Sequence, residues 1–190
     1  IERVESESGV ARSEWRAGGR ASKAWPEKEN FDWWVANGPS MFESWVNWRA
    51  GSGWKIADFS GTLAVELEID FPVDDYLLRM IIDRVVVNSD GELAVLDLKS
   101  GSRSPSSDLQ LAVYAAGMER ILGVRPKYGM YWMAREGVTT ALANLDNLST
   151  ERILAMIGQF DRARKAQIFL PNLKECHYCG VAQHCEWSKK

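Results

Sequence analysis

Asp83, then Asp97-x-Lys99, then Gln110-x3-Tyr114 are the residues of this chain whose types and spacing could do chemistry. Asp83 interrupts an apolar run, Tyr76 to Val87 (YLLRMIIDRVVV), and Asp97 and Lys99 end a second one, Glu92 to Lys99 (ELAVLDLK). Side chains alternate along a strand, so Asp97 and Lys99 share a face. A charge in a buried stretch needs a partner or a metal. Two carboxylates can hold a hard divalent cation through oxygen. A lysine beside them can orient or help deprotonate a water, or neutralise charge developing on phosphorus. The chemistry on offer is metal-assisted attack of water on a phosphodiester.

The elements that must position these groups can be read on either side. Asn88-Ser89-Asp90-Gly91 is a turn signal between the two apolar runs, which predicts a hairpin over 76–99. Residues 62–71 alternate as a strand, with Leu63, Val65, Leu67 and Ile69 on one face and Glu66 and Glu68 on the other. A Gly/Ser/Pro loop over 100–107 leads to a helix capped by Ser107 or Asp108. It runs to about Leu122, with Leu109, Val113, Ala116 and Ile121 apolar and Gly123 as its stop. Strands are expected at 126–134 and 138–144, joined across Arg135-Glu136-Gly137. A helix follows from Ser149 or Thr150 to about Lys165, with Ile153, Leu154, Ile157 and Phe160 facing inward. Upstream, a short helix carrying Phe31, Trp34 and Val35 is expected to break at Gly38-Pro39-Ser40. A second helix then carries Met41, Phe42, Trp45, Val46 and Trp48 to Gly51. Residues 1–24 read as loop or frayed helix. The order predicts a mixed α/β layer fold, with helices packed on a central sheet.

At 190 residues the chain is one domain, or one domain with an appendage, and 46% hydrophobic content suffices for a core. A net charge of −3 argues against a polycation that coats nucleic acid, without excluding an enzyme whose acids cluster at a metal. No apolar run approaches the ~18 residues of a membrane span, and no signal peptide is visible. The three cysteines, Cys176, Cys179 and Cys185, cluster near the end, which is not a disulfide framework. They read as metal ligands in a reducing, cytoplasmic compartment. Zinc would accept a Cys/His mixture completed by His177 or His184, the only histidines.

Ile-Asp83-Arg, Leu-Asp97-Leu-Lys99-Ser-Gly and Asp108-Leu-Gln110-Leu-Ala-Val-Tyr114 together resemble the RecB-like branch of the PD-(D/E)xK nuclease superfamily. Cys176-x2-Cys179-x5-Cys185 resembles the cluster-binding end of RecB-family exonucleases, a group that includes CRISPR-associated exonucleases and the AddB nuclease domain. The resemblance covers about residues 62–187. It implies a restriction-endonuclease-like central mixed sheet flanked by helices over residues 1–170. It also implies a cysteine-rich, metal-binding tail over 171–190 that completes a [4Fe–4S] cluster, with zinc as the alternative. It implies Mg²⁺ or Mn²⁺ on Asp83 and Asp97, Lys99 assisting the water, Gln110 and Tyr114 lining the site, and an upstream glutamate. Glu66 is the first choice for that glutamate and Glu68 the second. The implied substrate is DNA, at its ends and with single strands included, in recombination, repair or phage and CRISPR DNA processing alongside partner proteins.

The chain departs from the family pattern in three places. Met80-Ile81-Ile82 stands where a glycine is usual, no histidine lies in an early helix, and no fourth cysteine lies near the N-terminus. The last two lead to the expectation that an N-terminal segment is missing before Ile1.

Each feature also has a plainer reading. Alone, Asp97-x-Lys99 reads as a strand-end ion pair, and it is the convergence with Asp83, Gln110 and Tyr114 that favours catalysis. Glu66 and Glu68 suit a solvated strand face as well as a site. Nine tryptophans could stack on bases, but helical spacing favours core for most of them. The basic residues at 49, 55, 79, 84, 103, 125 and 127 could track phosphates, against a default of scattered surface charge. A nuclease-fold module that only binds DNA or protein, catalytically weak or inactive, is the competing reading. A zinc-stabilised interaction module is a third.

Overall fold

A computed structural model of the chain describes Gly9, residues 31–73, 75–101, 103–169, 172–173, Cys176 and residues 179–189. The expectations for residues 1–24 (Gly9 apart) and for His177 lie outside these. The elements are α1 (Phe31–Gly51), β1 (Lys55–Ile56), β2 (Asp58–Phe59), β3 (Thr62–Leu63), β4 (Val65–Val73), β5 (Tyr76–Val87), β6 (Leu93–Lys99), α2 (Leu109–Leu122), β7 (Tyr128–Met133), β8 (Val138–Thr139), β9 (Ala143–Asn144) and α3 (Thr150–Lys165). Seven strands form one mixed sheet. Its spine is β5–β6–β7, with β1 and β4 on β5 and β8 and β9 on β7; β2 and β3 form a separate hairpin. Only β6 and β7 run parallel, and α2 is the crossover between them.

Helices cover the sheet on both faces. One core gathers Phe71, Met80, Ile82, Val85, Val95 and Tyr131 against Leu111, Ala112, Ala115, Ala116 and Met118 of α2 and Ile153 of α3. The other holds Val86, Ala94, Leu96, Met130 and Trp132 against Trp45 and Trp48 of α1. The rings of Trp45 and Trp48 each lie about 5.4 Å from that of Trp132, centroid to centroid. These tryptophans are core, as helical spacing suggested. Gly129 lets α2 sit close on β7: a Cβ there would lie 2.9 Å from the Leu111 Cβ.

The hairpin forms as its turn signal required. Asn88 Oδ1 accepts from the amides of Asp90 and Glu92 at 3.0 and 2.9 Å, and Gly91 takes φ +80°. Gly123 ends α2 in the left-handed region at φ +68°, its amide donating to Glu119 O.

Four expectations are corrected. Gly38-Pro39-Ser40 does not break α1, which runs through Pro39 as one helix. Pro39 removes the amide that would bond Val35 O, and Val35 is exposed, so water can take the lost donor's place. Residues 62–71 are not one alternating strand. Glu66 sits at φ +49°, and the alternation slips there. Ala64 therefore shares a core with Ile69, Phe71 and Val73, while Leu63 and Val65 are exposed. The partner strand slips opposite it, since Ile82 and Val85, three apart, both join that core. Phe160 of α3 points outward. Asp161 is buried instead, held by Arg164 and by Lys165, which also reaches Asp75 at 2.5 Å. On α2, Leu109 and Ile121 are exposed, and Leu111, Ala112 and Ala115 face the sheet.

Candidate active site

Asp97 and Lys99 occupy the last residues of β6, at the edge of the α2-covered core. Asp97 is 3% exposed. Its Oδ1 accepts from Gln110 Nε2 at 2.9 Å. Its Oδ2 lies 2.6 Å from Lys99 Nζ as an ion pair. Gln110, in the first turn of α2, closes the group. Its Oε1 accepts from Lys99 Nζ at 3.0 Å, and its Nε2 also meets Tyr114 Oη at 2.9 Å. The i, i+4 spacing on a helix and the i, i+2 spacing on a strand thus meet in one network.

Asp83 approaches from β5. The β5–β6 ladder pairs Arg84 with Leu96, and one step further Asp83 falls opposite Asp97. There the Leu98 amide donates to Asp83 Oδ2 at 2.7 Å, in place of a backbone carbonyl. That bond fixes the Asp83 carboxylate beside the strand end. Burial pushes the Asp97 carboxyl above the usual carboxylate range; Lys99 pulls against this, and the Asp83 charge adds to it. A buried Asp97 carboxyl whose ionised form is opposed by burial and by the neighbouring Asp83 charge, with Asp83 held beside it, forms a donor pair that suits a divalent cation.

Glu66 falls opposite Asp83 in the β4–β5 register, between the Val65–Arg84 and Leu67–Ile82 pairs, but its side chain is not part of the hydrogen-bonded group. It is exposed, its carboxylate meets Arg84 NH1 at 3.1 Å, and its charge is not among those acting on Asp97. Glu68 is also exposed and acts on Arg79. Among the described residues no three His, Cys, Asp or Glu side chains are placed to hold a metal. Asp83 and Asp97 therefore gain no third such ligand there, and Cys176, Cys179 and Cys185 do not assemble into a three-thiolate site. The cysteines are free thiols along a short turn, with Cys179 N donating to Cys176 O at 3.2 Å and Cys185 N to Ala182 O at 3.2 Å. Of the basic residues proposed to track phosphates, Arg79, Arg84, Arg125 and Lys127 are each paired with an acid.

Sequence reasoning missed Tyr131. It pairs with Asp97 in the parallel β6–β7 register, is 2% exposed, and its ring lies 5.6 Å from Lys99 Nζ. Burial, with Asp97, Asp108 and Tyr114 nearby, pushes its hydroxyl up to about 12. A phenol inside the apolar run YGMYWM was the available signal.

Comparison with known proteins agrees with this geometry. The model of the PD-(D/E)XK nuclease superfamily matches residues 2–186. Gene 69 protein of Mycobacterium phage D29 is 33% identical over 184 residues, an overlap of 84% of this chain and 67% of that protein. The crystal structure of SSO0001 overlaps 81% of this chain and 70% of its own, at 12% identity and a TM-score of 0.48. No described helix is long and apolar enough to cross a membrane. The RecB-like pattern of the motifs is consistent with the family-model and phage-protein matches, and the chain belongs to the PD-(D/E)XK nuclease superfamily.

Proposed function

We propose that this protein is a Mg²⁺- or Mn²⁺-dependent deoxyribonuclease of RecB-like type, an exonuclease that hydrolyses phosphodiester bonds at DNA ends. The observation that supports it most is the convergence of Asp83, Asp97, Lys99 and Gln110 at the end of β6, with Asp97 buried beside the Asp83 carboxylate. Asp83 and Asp97 would hold the cation. Bound there, it would neutralise phosphoryl oxygens and acidify the attacking water. Lys99 orients that water or takes part in its deprotonation, and Gln110 holds Lys99 and Asp97 in fixed relation. Tyr114 presents its hydroxyl next to Gln110. Glu66 could join the acids only by leaving Arg84.

End-labelled linear DNA and closed circular DNA, each incubated with Mn²⁺ with and without chelator, test this. Chelator-sensitive shortening of linear DNA with the circle intact is expected. Cutting of the circle would refute the exonuclease assignment, and no cleavage with either metal would refute the enzyme. The binding-only reading has one observation in its favour, the absence of a third acid beside Asp83 and Asp97 among the described residues. The same assay, run with a DNA-binding measurement, separates the two.

The tail carries a second proposal, a [4Fe–4S] cluster on Cys176, Cys179 and Cys185 with zinc as the alternative. The cluster rests on the resemblance of Cys176-x2-Cys179-x5-Cys185 to the cluster-binding end of RecB-family exonucleases, and zinc on the local Cys and His count. By the same reasoning DNA is the partner, with recombination or CRISPR proteins as candidate company.

A further inference from the structure

We propose that Tyr131 is a positioning residue of the site, holding the loop that links Lys99 to Gln110 so that both reach Asp97. This rests on the nuclease reading above.

Lys99 ends β6 and Gln110 lies in the first turn of α2, so residues 100–108 set their relation. That loop is met by β7 and the turn after it at three described points, in reverse order. Tyr131 Oη donates to Ser107 O at 3.1 Å. Ser104 Oγ lies 3.9 Å from Met133 Sδ. Arg135 Nε donates to Ser100 O at 2.7 Å. Tyr131 and Met133 share one face of β7, and Arg135 lies in the turn that follows the strand. The loop is thus pinned at its start, middle and end.

The Tyr131 contact falls where α2 begins. Ser107 precedes the N-cap Asp108, whose own side chain makes no capping bond. The buried phenol therefore supplies an anchor that the helix start otherwise lacks. Its ring also lies beside the Lys99 ammonium, where a cation is attracted to an aromatic face. One side chain touches both ends of the Lys99–Gln110 connection. It touches no group that the proposed mechanism places on the substrate.

Tyr131→Phe keeps the ring and the packing and removes only the hydroxyl. With Mn²⁺ and linear DNA, kcat should fall about ten-fold, since small misplacements in a site carry large rate costs. KM for DNA and the Mn²⁺ half-saturation should hold, because the carboxylates are untouched. Combined with Gln110→Ala, the two losses should be markedly less than multiplicative, as expected of residues acting through one network. Hydrogen exchange of the full-length protein should speed up across residues 107–114 and stay unchanged in β4. A wild-type kcat in folded Tyr131→Phe would overturn the proposal, as would fully multiplicative losses in the double variant. Unchanged exchange across 107–114 would overturn it even if no DNA is cut. Wild-type protein that cleaves nothing would instead strike the nuclease reading, leaving the exchange result to judge Tyr131.

Discussion

Asp97→Asn should make the metal-free protein more stable at neutral pH and abolish its stabilisation by Mn²⁺. Asp97 is 3% exposed, and burial dominates the forces on it, so its carboxyl lies above the usual range even with Lys99 at 2.6 Å. The native state therefore binds this proton more tightly than the unfolded chain does. The Asp97 contribution is fully present below the unfolded pKa of about 3.9. It is lost as pH rises through the higher folded value, so the ionised acid is a burden at pH 7. Asparagine keeps the shape, and its carbonyl can still accept from Gln110 Nε2. Lys99, partly exposed, keeps Gln110 Oε1 and turns to water. Removing one member of a buried pair is costly when it strands the other charge, but the Lys99 ammonium reaches solvent, so the relief at Asp97 should leave a net gain of about 1–2 kcal/mol, the ordinary size of a point-mutation effect. For a chain of this size that is roughly 2–8 °C in Tm. With Mn²⁺ at a hundred times its Kd, the wild type should gain about 2.7 kcal/mol and the variant almost none. The two melting curves should thus exchange order when metal replaces EDTA, and the EDTA difference should fade towards pH 3. A variant less stable than wild type in EDTA at pH 7 would show that the Asp97–Lys99 pair is structural and refute the reasoning.

Lys99→Ala should cut cleavage by about a hundred-fold or more while DNA binding persists, measured by gel assay and anisotropy; wild-type rates would remove Lys99 from the mechanism. Gly129→Ala should cost about 1–3 kcal/mol, because the new methyl meets the Leu111 Cβ at 2.9 Å and α2 must move. It should also depress kcat more than Gly117→Ala, whose methyl meets the flexible end of Met80, and equal effects on kcat would count against α2 placement as the cause. Protein purified without oxygen should absorb broadly near ~400 nm and lose that band in Cys179→Ser; bound zinc would favour the alternative, and metal-free protein would reject both.

The parts of the site that obey a local period were legible in the sequence. Strand alternation put Asp97 and Lys99 on one side, the helical repeat put Gln110 next to Tyr114, and Asn88 to Gly91 announced the hairpin. What stayed hidden depends on backbone states or distant partners. A left-handed glutamate has no sequence mark, and reading 62–71 as one alternating strand sent Leu63 and Val65 inward, wrongly. The proline at 39 reads as a break from composition, but the carbonyl it deprives belongs to exposed Val35, and α1 runs on. Asp161 displaced Phe160 from the interior because Lys165 also serves Asp75, ninety residues earlier. Tyr131 stayed hidden for the same reason, its relation to Asp97 existing only through the parallel pairing of β6 with β7.

The bond from the Leu98 amide to Asp83 Oδ2 turns a main-chain proton into a reporter. Amides that donate to an ionised carboxylate form short, strongly polarised bonds, and their protons resonate far downfield. Neutralising that carboxylate, by acid or by a bound cation, weakens the bond and moves the resonance upfield. The Leu98 cross-peak in the spectrum of ¹⁵N-enriched protein should therefore report a cation bound at Asp83 directly, without substrate, turnover or an attached probe.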